Sequence, residues 1–94
     1  MPLSVSGSRF KCVNGTYSLV QSLPDDAIQQ PQKGHPIWQH DTRKEIHILF
    51  VQGMWWISHY QPSDKGGKDY HHAGEIQGQW FVSGSGKEAN LTFA

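Results

Sequence analysis

Residues 45–60 read Glu45-Ile46-His47-Ile48-Leu49-Phe50-Val51, then Gln52-Gly53, then Met54-Trp55-Trp56-Ile57-Ser58-His59-Tyr60. Two runs rich in β-branched and aromatic residues flank a two-residue punctuation, which is the sequence form of a β-hairpin. Ile46, Ile48 and Phe50 fall on one face of the first strand, and His47, Leu49 and Val51 on the other. Both faces are apolar near the turn. A strand of that kind lies in the middle of a sheet, or in a small barrel whose outer face is covered. Side chains alternate along the second strand, so Trp55 and Trp56 point to opposite faces. Which of them accompanies Ile48 depends on a register that periodicity alone leaves open.

Working outward, Ile37-Trp38-Gln39-His40 reads as a short strand before the polar turn Asp41-Thr42-Arg43-Lys44. Gln79-Trp80-Phe81-Val82-Ser83 and Ala89-Asn90-Leu91-Thr92-Phe93 read as two more. Near the start, Phe10-Lys11-Cys12-Val13 and Thr16-Tyr17-Ser18-Leu19-Val20 flank Asn14-Gly15, which predicts another hairpin. Leu23-Pro24-Asp25-Asp26-Ala27-Ile28-Gln29-Gln30-Pro31 has room for one helical turn, stopped by Pro31. Gln61 to Asp69 reads as a Gly-rich loop, and Tyr70 to Ile76 continues it with little periodicity. The expectation is an all-β fold: a small antiparallel barrel or sandwich of six to seven short strands, with at most one or two short helical turns. The 94 residues allow one domain, spanning 1–94, with residues 1–8 expected as a weakly ordered lead-in.

Composition narrows the function. Eight Lys plus Arg balance eight Asp plus Glu, so no basic field draws in nucleic acid. No apolar run approaches the 18 or so residues of a membrane span. The first residues, Met1-Pro2-Leu3-Ser4-Val5-Ser6-Gly7, carry neither a basic start nor an apolar core, so no signal peptide is read there. Cys12 is the single cysteine. A small domain without an internal disulfide suits a reducing compartment, so a cytoplasmic location is expected. Leu, Ile, Val and Phe supply only 21% of the chain, close to the level of roughly 20% at which disorder sets in. Eleven aromatics, four of them Trp, argue for a packed core instead.

Catalytic motifs are absent, with no G-x-S-x-G, H-E-x-x-H or phosphate loop, so no catalytic residue and no cofactor is assigned. The six histidines invite a metal reading. His47 and His59 fall within cross-strand reach on the central hairpin, but zinc wants three or four converging ligands, and the adjacent His71 and His72 point opposite ways. No metal is expected. Cys12, on a strand of alternating apolar residues, reads as a buried, inert thiol.

The landmarks follow a familiar order: Gly15-Thr16-Tyr17, Gly34-His35-Pro36-Ile37-Trp38, Ile48-Leu49-Phe50, Gly53-Met54-Trp55-Trp56-Ile57-Ser58 and Gly78-Gln79-Trp80-Phe81-Val82. This order resembles a β-rich module found, often in tandem, in large proteins of protists, algae and oomycetes. The module's pattern is roughly G-x-Y, N-G-x-P-V-Y/W, Y-L-F/Y, W-x-I and G-W-x-V. The resemblance runs from Phe10 to Ala94. His35 departs from it, where Arg or Lys is common, as does the extra Trp55. It implies a non-catalytic unit of a larger assembly and names no ligand.

The leading expectation is therefore a domain that binds another protein, through an aromatic patch or by adding a strand to an open sheet edge. Trp38, Trp56 and Trp80 are assigned to the core. Trp55, with Ile57 on its own face and Tyr60 and Tyr70 beside the Gly-rich loop, is the expected binding surface. The runner-up is a carbohydrate or other small ligand stacked on exposed Trp and Tyr rings.

Overall fold

The structure is a computed structural model and describes residues 2–21, 34–59 and 68–94. The helical turn read at residues 23–31, Tyr60 and most of the Gly-rich loop lie outside the described residues. The fold is all-β: one antiparallel sheet curled into a half-barrel. It has nine strands, not six or seven: β1 Leu3–Ser6, β2 Gly15–Val20, β3 Ile37–His40, β4 Ile46–Val51, β5 Met54–His59, β6 Lys68–Ala73, β7 Trp80–Val82, β8 Glu88–Ala89 and β9 Thr92–Phe93. Their order across the sheet is β8-β7-β6-β5-β4-β3-β2-β1-β9. The helical content of the described residues is one 3₁₀ turn, Lys11–Val13.

The central hairpin forms as read. Gln52 and Gly53 both have positive φ, 53° and 82°, which matches the right-handed twist of the strands they join. Its register settles the question left open above. Ile48 faces Ile57 and Phe50 faces Trp55, while Leu49 faces Trp56. Trp55 therefore lies with Ile46, Ile48 and Ile57 on the concave face that holds the core, and Trp56 is on the convex face. The assignment of Trp56 to the core is corrected accordingly. Trp38 packs against the core half-buried, and Trp80 is enclosed within it.

Along one row of the concave face run Phe50, Trp55, Ala73, Trp80 and Ala89. Large and small side chains alternate, so each indole lies over the methyl group next to it. At the far end Trp80 stacks on Phe93 with centroids 5.3 Å apart and planes 19° apart. Trp80 is one strand from the β8 end of the sheet, and Phe93 is in the strand at the other end. Only Asn90 and Leu91 separate β8 from β9, and so short a link reaches about 10 Å at most. Chain continuity thus forces the sheet to curl, and the Trp80–Phe93 stack fills the closure.

Three expectations change. Ala89 to Phe93 is not one strand but two, each serving an opposite end of the sheet. Residues 3–6, expected to be weakly ordered, form β1 and pair with both β2 and β9. Residues 68–73, taken as loop, form β6. The periodicity there is hidden by a bulge: Ile57 faces His71 and Ser58 faces Asp69, so Tyr70 is the extra residue and both Tyr70 and His71 are buried.

The Asn14-Gly15 signal also has a different cause from the hairpin it suggested. Phe10 to Val13 is not a strand. The Asn14 amide pairs with the Ser8 backbone at both ends, Ser8 N–H to Oδ1 at 2.9 Å and Nδ2 to Ser8 O at 3.2 Å. Gly15 has φ +141°, and a Cβ there would come within 2.6 Å of His40 Nε2. That nitrogen is 2.9 Å from Asn14 O. His40 Nδ1 accepts the N–H groups of Thr42 and Arg43, so Nε2 carries the proton and donates. Gly15→Ala is expected to cost about 1–3 kcal/mol through backbone strain and the displaced imidazole. Thermal unfolding measures the cost, and the same variant should shift the His40 ring resonances. An unchanged melting temperature would refute this account.

Candidate functional site

The structure separates the four residues expected at the binding surface. Ile57 is fully buried in the core. Tyr70 is buried as well, its ring 5.2 Å from Phe10 and capped by the Lys68 ammonium at 5.2 Å. Burial, then the neighbouring Cys12, push the Tyr70 hydroxyl pKa up to about 12. Tyr60 lies outside the described residues. Trp55 alone of the four is described at a surface, half-buried at the mouth of the half-barrel beside the β4–β5 turn.

Its neighbours there are ones that reading the strands singly did not find. Trp55 is in ring contact with Phe50 at 5.2 Å, Trp38 at 6.0 Å and His35 at 5.9 Å. His35 also lies 4.1 Å from Phe50. Leu19, cross-strand partner of Trp38, extends the patch and is 51% exposed, an unusual state for a large aliphatic side chain. Trp38 and Phe50 are half-buried and His35 is exposed. The residues come from β2, β3, β4 and β5, four adjacent strands, so a rigid sheet holds the patch.

The indole nitrogens divide the four Trp residues into two kinds. Trp56 Nε1 donates to Val51 O at 3.2 Å, and Trp80 Nε1 donates to Ile76 O at 2.8 Å. Trp38 and Trp55 find no acceptor among the described residues. No buried side-chain nitrogen or oxygen of those residues lacks a partner, so these two N–H groups face solvent. They are polar handles on an apolar surface, the usual state of a Trp that awaits a ligand.

On the convex face a second set of rings crosses three strands in register. Trp56 faces His72, which faces Phe81. The Trp56–His72 centroids are 5.3 Å apart, and His72 stacks on Phe81 at 5.6 Å. His72 Nδ1 lies 3.1 Å from Ser83 Oγ.

One buried polar pair lay beyond sequence reading because its members are far apart in the chain. Ser8 Oγ donates to His71 Nε2 at 2.7 Å, and His71 Nδ1 donates to Phe81 O at 3.3 Å. Ser8 Oγ also accepts the Phe10 N–H at 3.0 Å. The pair resembles a nucleophile and its base, but His71 is fully buried and Ser8 nearly so. Its evident work is to pin the segment after β1 onto β6. His47 and His59, read as cross-strand neighbours, lie on opposite faces, since His47 faces Ser58 and Ile46 faces His59. His59 Nε2 is 3.8 Å from Glu45 Oε1. Among the described residues no three His, Cys, Asp or Glu side chains gather as metal ligands would.

Burial lowers the pKa of His71 and of His47 below the ordinary histidine value. The fold therefore holds both rings neutral, whereas the unfolded chain protonates them near pH 6.5. Their contribution is complete above about pH 6.5 and is lost as the pH falls from there toward the folded-state values. The melting temperature should drop between about pH 7 and pH 5, and His71→Gln should flatten that slope while lowering stability at neutral pH. A melting temperature constant across this range would contradict the assignment.

No family model matches the chain, and no curated protein or solved structure is detectably similar to it.

Proposed function

We propose that the domain is a non-catalytic docking module that holds a segment of another protein on the Leu19, His35, Trp38, Phe50 and Trp55 surface. The observation that carries this reading is the pair of half-buried indoles in mutual contact whose N–H groups are unused. An interior Trp in this domain has its N–H paired, as Trp80 does. Strand addition, the other docking mode, finds little support. The sheet ends in β8 and β9, two residues each, which offer almost no ladder to extend. A docking unit within a larger assembly also agrees with the tandem module that the sequence resembles.

The test is a parallel screen of the whole chain against random peptides displayed on phage and against a glycan array. Peptides should be enriched. Trp55→Ala should weaken their binding by at least about 2 kcal/mol, the scale of an interface anchor, with cooperative unfolding retained. Glycan hits without peptide hits would favour a second reading, carbohydrate binding. Its own observation is the Trp56–His72–Phe81 row on the convex face. In that case Trp56→Ala, not Trp55→Ala, should abolish binding.

A further inference from the structure

We infer that the segment docked on this surface is proline-rich and binds as a polyproline II helix, an inference that rests on the protein-docking reading above. Three properties of the surface select it. The first is hydrogen-bond polarity. The five side chains offer two free indole donors and contain no carboxylate or amide. Carbonyls of a polyproline II helix are unbonded within the helix, and each proline lacks an N–H, so such a segment is rich in acceptors and poor in donors. A sugar hydroxyl brings a donor with every acceptor and requires acceptors in return.

The second property is relief. The rings do not share a plane: His35 stands at 87° to Trp55, Phe50 at 65° and Trp38 at 47°. A flat sugar face or a base stacks on one exposed plane. Rings set at steep angles make ridges and clefts, which suit the three-sided cross-section of a polyproline II helix. The third is charge. None of the five is charged at pH 7 with His35 neutral, so the surface neither attracts nor repels a segment built of uncharged residues. A preformed helix also loses little conformational entropy on docking, which matters for a patch of only five side chains.

Sequencing the enriched phage peptides tests the inference. Prolines recurring at P-x-x-P spacing are expected. An enriched peptide is then titrated into ¹⁵N-labelled protein. The indole N–H resonances of Trp38 and Trp55 should move, and those of Trp56 and Trp80 should not. Trp38→Phe and Trp55→Phe keep a ring and remove the donor, and each should weaken binding about three- to tenfold, the worth of one hydrogen bond. Enriched peptides without proline would overturn this inference and leave the docking reading standing. No enrichment, by protein that still unfolds cooperatively, would overturn both. Wild-type affinity in both Phe variants, or indole resonances that stay still, would overturn the donor argument on which the proline assignment rests.

Discussion

Trp80→Ala should leave a chain that no longer unfolds as one cooperative unit at room temperature. The indole is 1% exposed, the largest of the fully buried side chains. It lies in one row between Ala73 and Ala89, stacks on Phe93 and donates to Ile76 O. Truncation removes the transfer free energy of the ring, opens a cavity at the closure of the half-barrel and leaves a carbonyl without its donor. Such changes cost about 3–5 kcal/mol, and a small domain has only about 5–15 kcal/mol in total. Trp56→Ala should cost distinctly less, because that ring is half-exposed on the convex face. Circular dichroism melts of the two variants measure the difference. Equal losses would mean that the two faces of the sheet have been interchanged.

Ile57→Ala should cost about 2–5 kcal/mol in stability. Ile57 is fully buried, with Ile48 on one side and His71 on the other. The cavity would open at the centre of the sheet, beside an imidazole that burial already holds neutral. Any loss of ligand binding in this variant should disappear once the unfolded fraction is subtracted, whereas the loss in Trp55→Ala should persist. Denaturant titration with a parallel binding measurement separates the two. A stable Ile57→Ala variant with impaired binding would return Ile57 to the surface.

What the sequence disclosed depended on whether a strand's period survived intact. The β4–β5 hairpin, β3 and β7 were legible because their alternation is regular and their turns carry Gly or polar clusters. β6 was hidden because the bulge at Tyr70 places two consecutive side chains inside. β1 was hidden because four residues, two of them serine, give almost no hydrophobic signal. Asn14-Gly15 misled because its residues serve a side-chain clamp and clearance for His40, and neither has a local signature. The Trp55 and Trp56 faces were ambiguous because the convex face also buries apolar residues, Ile37 and Leu49 among them.

The candidate site was half legible for a related reason. Trp55 stood out as the extra ring in a crowded run. Its companions belong to other strands, and only the β3–β4 and β4–β5 registers bring Trp38 and Phe50 to it. Ile57 was grouped with Trp55 correctly as to face. Exposure changes along that face, from the open mouth to the sealed interior, and a period of two carries no information about that change. Ser8 and His71 required knowledge of which strands adjoin.

The pairing of β1 with β9 bears on how fast the molecule can form. Val5 meets Phe93 and Ser6 meets Thr92, residues separated by nearly the whole sequence. Ser4 and Ala94 exchange both backbone hydrogen bonds at 3.0 and 2.9 Å. The search for these partners carries close to the largest loop-closure entropy a chain of this length can incur, and little is returned until the rest of the sheet is in place. The central hairpin, by contrast, closes over two residues and can assemble within microseconds. Folding should thus proceed outward from β4 and β5, with the outermost strands last. The whole process then belongs to the millisecond-to-second regime of non-local β topologies. A protein arranged in this way has its ring-lined mouth built early, on its fastest-forming strands, and its closure built late, on its slowest.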